Sequence, residues 1–159
     1  MQVGKLYQHF EFFKLSQNLK PAPCFFLYGT EYFLKDKILN ILLKKFSDKD
    51  SEQFDTVKFY AEETNAANII EQLEMNSFLS DFKLVIVKNY DKLTSKDKAA
   101  IAQYLKNPVE TSILILDSDK LDKRVSSYKI ILQNSISIQC RSPYGVQDIL
   151  CVTSKTVNA

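Results

Sequence analysis

Three short runs of this chain are almost wholly apolar: Cys24–Tyr28 (CFFLY), Lys83–Val87 (KLVIV) and Ser112–Leu116 (SILIL). A strand with one face in water alternates apolar and polar residues. A continuous run of four to six instead suits a strand covered on both faces, the situation of a parallel sheet between helical layers. Two further segments read as strands, Phe54–Tyr60 and Ser135–Cys140 (SISIQC).

Between these runs the spacing turns helical. Residues 5–17 carry Leu6, Phe10, Phe13 and Leu15 as a stripe, read as a helix lying on a sheet face. After Gly29, Thr30 is the expected N-cap, with Glu31 in the first turn, where a helix dipole favours an acid. Leu34, Ile38, Ile41, Leu42 and Phe46 follow as that helix's buried face, and Lys44 and Lys45 suit its end. Ala66–Met75 bears Ile69, Ile70 and Leu73; Thr94 or Ser95 caps a helix that runs to Leu105 and stops at Asn107-Pro108; Val125–Leu132 supplies the last stripe. Strands alternating with helices imply right-handed crossovers and a five-stranded, mostly parallel sheet, a three-layer α/β domain. With 159 residues, 45% hydrophobic and 25% charged, and only three Gly and four Pro, the chain suits one such unit. Residues 1–141 are read as this domain. Residues 142–159, opening on a Pro143-Tyr144-Gly145 turn, are read as the start of a linker or second domain, and the chain as the first domain of something longer.

Composition excludes several functions. A net charge of +2 is not the footprint of a dedicated nucleic-acid binder, and Arg124 and Arg141 are the only arginines available for bidentate base recognition. The amino terminus has no apolar core of a signal peptide, no window approaches a membrane span, and a cytoplasmic protein is expected. Cys24, Cys140 and Cys151 show no CxxC spacing and His9 is the sole histidine, so no metal site is expected and Cys24 is read as a small core residue.

The strand–Gly29–helix turn invites a test for a phosphate loop, G-x-x-x-x-G-K-[ST]. Counted from Gly29, Lys35 falls in the lysine register, but Leu34 stands where the second glycine belongs and Asp36 where the hydroxyl belongs. Glu31 adds a charge that repels phosphate, and Lys88 follows the third strand where an acid is expected. Gly29 and Lys35 are read as a degenerate nucleotide loop, with no cofactor expected. His9 is read as a packing or surface residue, and Asp117 and Asp119 as a solvated Asp-Ser-Asp-Lys turn, although they sit at a strand end where open α/β sheets bind ligands. No catalytic constellation assembles.

One loop is harder to explain. Glu71–Val87, EQLEMNSFLSDFKLVIV, reads as a helix end, an exposed Ser77-Phe78-Leu79 link and then a buried strand. Apolar side chains at a loop tip point to a partner protein.

FFLYGTEYFLKDK, NSFLSDFKLVIVKN and SILILDSDKLDKR, in this order over roughly residues 20–145, resemble the amino-terminal domain of the delta subunit of bacterial DNA polymerase III. The resemblance implies an AAA+-like core with a lost nucleotide site and no catalysis of its own, within a DNA-directed DNA polymerase (nucleotidyltransferase) holoenzyme. It implies a clamp loader subunit in DNA replication that binds the sliding clamp (the beta subunit) and helps open it for loading onto primed DNA, which it meets indirectly. The clamp-binding element it implies falls on Met75, Ser77, Phe78 and Leu79, with the emptied phosphate loop read as lying near it. The family's pair runs Leu-Phe where this chain has Phe-Leu, and contact with the other loader subunits falls to domains this chain lacks. The alternatives weighed beside it are a nucleotide-binding NTPase-type enzyme using Gly29–Lys35 and a module for single-stranded nucleic acid. The aromatic residues lie mostly inside apolar runs, where core packing accounts for them.

Overall fold

The computed structural model describes residues 1–47 and 55–141. Among these residues six strands form one sheet: β1 (Leu6–Gln8), β2 (Cys24–Tyr28), β3 (Thr56–Tyr60), β4 (Lys83–Lys88), β5 (Ser112–Ser118) and β6 (Ile136–Gln139). Their spatial order is β1-β6-β2-β5-β4-β3 and every pairing is parallel. Among the described residues five α-helices cover it: α1 (His9–Leu15), α2 (Tyr32–Phe46), α3 (Ala66–Glu74), α4 (Ser95–Tyr104) and α5 (Ser126–Gln133).

The apolar runs act as their composition requires. Along β2 successive side chains point to opposite faces. Phe25 and Leu27 join Phe12, Phe13, Leu34, Ile38, Leu42 and Phe46 beneath α1 and α2. Cys24, Phe26 and Tyr28 join Ile69, Leu73, Ile101, Tyr128 and Ile131 beneath α3, α4 and α5. Burial pushes the Cys24 and Cys140 thiols up. Tyr90 fills the centre of the second core, edge-on to Phe26 and Tyr128.

The sheet has six strands rather than five, all parallel. The extra one, Leu6–Gln8, lies inside the segment expected to be helical from residue 5. Three edge residues pair with Ser137–Gln139, and their extended backbone rotates the following helix so that His9, Phe12 and Phe13 are buried while Leu6 and Leu15 are exposed. His9 is thus a packing residue, edge-on to Phe10 and Phe13.

Thr30 does not cap α2. Glu31 takes the cap position without a side-chain cap bond, its carbonyl accepting from Leu34 and Lys35. Two other helices follow the capping rule: Asn65 accepts from the Asn68 amide and Thr94 from the Asp97 amide. Asp97 then reaches across to accept from the Ala66 amide and ties α4 to the start of α3. The strand expected over Phe54–Tyr60 begins at Thr56; Phe54, the segment from Ser142 to Ala159 and Cys151 lie outside the described residues.

Candidate docking loop and the closed phosphate-loop position

Two places in this fold hold chemistry, and they lie at opposite ends of the sheet. Gly29 and the start of α2 follow β2, at the carboxyl ends of the strands, where β2 is flanked by β5 and β6. Ser77–Ser80 precede β4 and so lie at the amino ends. The sequence reading placed the two near each other; parallel strands separate them by a strand's length, roughly 15–20 Å.

At the carboxyl ends, Lys35 is 2% exposed and its Nζ lies 2.7 Å from Asp117 Oδ1 and 2.9 Å from Asp119 Oδ1. Asp117 Oδ2 accepts from Lys88, which also lies 3.6 Å from Asp36. The Tyr32 hydroxyl donates to Asp119 at 2.9 Å. Burial opposes the charge on Lys35, but the hydrogen bonds it donates to Asp117 and Asp119 outweigh that and its pKa is raised. The Lys35 hydrogen bond holds the Asp119 carboxyl below the usual carboxylate range. Asp117 is therefore no solvated turn residue: it is the last but one residue of a fully buried strand and a structural counter-ion. The acid absent after β4 is supplied by β5, and the lysine in the phosphate-loop register is already answered within the chain. Leu34, in the second glycine position, is buried under α2. An incoming phosphate would meet Asp36, Asp117 and Asp119 beside two lysines.

At the amino ends, α3 stops at Glu74, and Met75 leaves in extended conformation. Ser112 Oγ, at the start of β5, donates to the Leu73 carbonyl at 2.6 Å and fixes that end of the helix. Beyond it Phe78 is 78% and Leu79 57% exposed, and Met75 is half exposed. Ser77 Oγ donates to the Ser80 carbonyl and closes the turn from inside. Asp55, just before β3 and 2% exposed, accepts from the amides of Phe78, Leu79 (2.7 Å) and Ser80 (2.8 Å), with the Ser80 hydroxyl 2.8 Å away. The loop is therefore a held turn with its two largest apolar side chains facing water.

Desolvation pushes the Asp55 carboxyl up, but those amide and hydroxyl hydrogen bonds prevail and bring it down to about 2. A carboxyl depressed on folding contributes stability above its unfolded pKa, and that contribution is lost as pH falls through the folded value. Between about pH 4 and pH 2 the unfolding free energy of the native chain is expected to fall toward that of Asp55→Asn by on the order of 1–2 kcal/mol. Urea unfolding at stepped pH measures it; a gap that stays constant across this window would refute the assignment.

Of the residues singled out in the sequence, the structure brings Met75, Ser77, Phe78 and Leu79 together on one loop and places Gly29 and Lys35 in one turn. Asp55, Asp117 and Lys88 were missed or misread. Among the described residues no group of His, Cys, Asp and Glu could hold a metal ion, and no helix is long and apolar enough to cross a membrane.

The architecture is that of the AAA+-like domains of clamp-loading proteins. A solved Bacillus subtilis DNA clamp loader delta protein superposes with a TM-score of 0.76 at 23% identity, over 85% of this chain and 43% of that one. A Thermotoga maritima protein related to the DNA polymerase III gamma subunit gives 0.59 at 17% identity, over 85% and 46%. The family model for DNA polymerase III, delta subunit, matches residues 25–141, and the chain belongs to that family. DNA polymerase III subunit delta of Bacillus subtilis is 24% identical over 142 residues, 83% of this chain and 41% of that protein. The chain thus spans less than half the length of these relatives.

Proposed function

We propose that this chain is the clamp-binding part of a clamp loader delta subunit, acting in DNA replication in the cytoplasm, and that Phe78 and Leu79, backed by Met75, insert into an apolar pocket of the sliding clamp. The observation that carries this reading is the exposure of two large apolar side chains on a turn whose backbone is tied down. Exposed apolar side chains on a fixed frame bind with little ordering cost and act as hot spots. Phe-Leu presents the same apolar bulk as Leu-Phe. Held in the pocket, the pair acts as a wedge at the clamp's interface, and the loader's other subunits supply the ATP-driven steps through regions beyond this domain. Primed DNA is reached through the clamp, and no catalysis is assigned to this chain.

The competing NTPase reading needs Lys35 free for phosphate; its pairing with Asp117 and Asp119 counts against it.

Burying two such side chains contributes on the order of 3–5 kcal/mol before entropic costs. Phe78→Ala combined with Leu79→Ala is expected to weaken binding to the same organism's purified clamp at least about 100-fold in calorimetry, with the melting temperature unchanged because both side chains are exposed. Equal affinity of the double variant and the native chain would overturn the assignment.

A further inference from the structure

The buried carboxylate of Asp55 organises the loop that carries Phe78 and Leu79. Its two oxygens accept from three consecutive amides, those of Phe78, Leu79 and Ser80. Ser80 Oγ lies 2.8 Å from both Asp55 Oδ2 and the Phe82 carbonyl, and its single proton serves one of them at a time. Three successive amides converging on one anion force the backbone into a tight concave turn. With the amides turned inward to Asp55, the Phe78 and Leu79 side chains are directed outward, as their exposure shows.

We infer that Asp55 is the positioning residue of the docking loop: its carboxylate fixes the Phe78–Ser80 backbone in the presenting conformation before any partner arrives. This rests on the docking reading for its consequence in binding, but the hold on the loop is a property of the unbound chain. The contact joins the start of β3 to the loop before β4, two neighbouring parallel strands. The sheet itself is thereby the reference frame against which the apolar pair is aimed. Preorganisation of this kind lowers the ordering cost of binding without adding a contact to the partner.

Asp55→Asn is the informative change. The amide offers one acceptor oxygen in place of two and turns an NH2 toward backbone donors, so the three amides are no longer all served. Three measurements test the inference. In the unbound native chain, hydrogen exchange followed by NMR is expected to show the Phe78, Leu79 and Ser80 amides slowed at least about tenfold relative to an unstructured peptide. Against the purified sliding clamp, Asp55→Asn is expected to bind about tenfold more weakly than the native chain, approaching a free peptide of residues 73–82. Its circular dichroism and the affinity of that peptide should not change. Ser80→Ala, which removes only the hydroxyl, is expected to give a smaller loss and covers the case in which Asp55→Asn folds poorly.

Amides that exchange at the unstructured rate would overturn the inference, as would Asp55→Asn binding as tightly as the native chain. If the amides are protected but the native chain fails to bind the clamp, the docking reading falls and the hold of Asp55 on the loop stands.

Discussion

Lys35→Met is expected to destabilise the domain by about 3–5 kcal/mol, the cost of stranding a buried carboxylate. Lys35 Nζ is the nearest cation to Asp117 Oδ1 at 2.7 Å, and the Asp117 side chain is only 7% exposed. Methionine matches the aliphatic stem and removes the charge. Lys88 remains on Oδ2, but it is more exposed and shared with Asp36, so it neutralises Asp117 less completely. For a domain of this size the loss corresponds to a fall in melting temperature of roughly 6–20 °C. The comparison that identifies the cause is Lys35→Met with Asp117→Asn. The double variant strands no buried carboxylate, since Asp119 is partly exposed and Lys88 keeps Asp36, so it is expected to be more stable than Lys35→Met alone. If the two losses simply add, Lys35 and Asp117 are not coupled and the pair is incidental.

That ion pair also shows where sequence reading stops. The strands were legible because CFFLY, KLVIV and SILIL need cover on both faces, whatever surrounds them. Thr94 was legible as a cap because its partner, the Asp97 amide, is three residues away. Leu6–Gln8 was not, because a three-residue edge strand leaves no period of its own and its pairing partner lies some 130 residues on. Asp117 carried a local pattern, Asp-Ser-Asp-Lys, that is identical in a solvated turn and in a buried strand end. Only the distance to Lys35, more than 80 residues earlier, separates the two. In the docking loop the apolar pair was visible as an anomaly in a polar setting. The carboxylate that aims it was not, because Asp55 reaches amides 23–25 residues away and backbone donors leave no mark on the sequence.

Gly29→Ala is expected to cost at least about 3 kcal/mol, and its reason lies in the chain itself. Gly29 has φ +126°, a region open to glycine and strained for alanine. A Cβ built there would sit 1.9 Å from the Cys140 carbonyl oxygen and 2.9 Å from its carbon. These are backbone atoms of the residue that follows β6, held by the Cys140 amide donating to Tyr28 O at 2.8 Å, so no side chain can swing aside. Relief requires β6 to move off β2, and β6 also carries β1. On the other side the Gly29 amide donates to Ser118 O at 3.0 Å, which ties the same residue to β5. Thermal unfolding measures the loss. Below the lowered melting temperature, clamp affinity is expected to stay near native, because Phe78 and Leu79 project from the opposite end of the sheet. A variant that melts normally would mean that β6 yields at no cost, and one that stays folded but loses the clamp would mean that the two ends are coupled. In a phosphate loop, a glycine at this place leaves room for the anion to approach the backbone. Here the space that a side chain would take is filled by the chain's own carbonyl. Gly29 and Lys35, the two residues that still match the phosphate-loop register, both have duties inside the fold: one admits β6 beside β2, and the other neutralises β5.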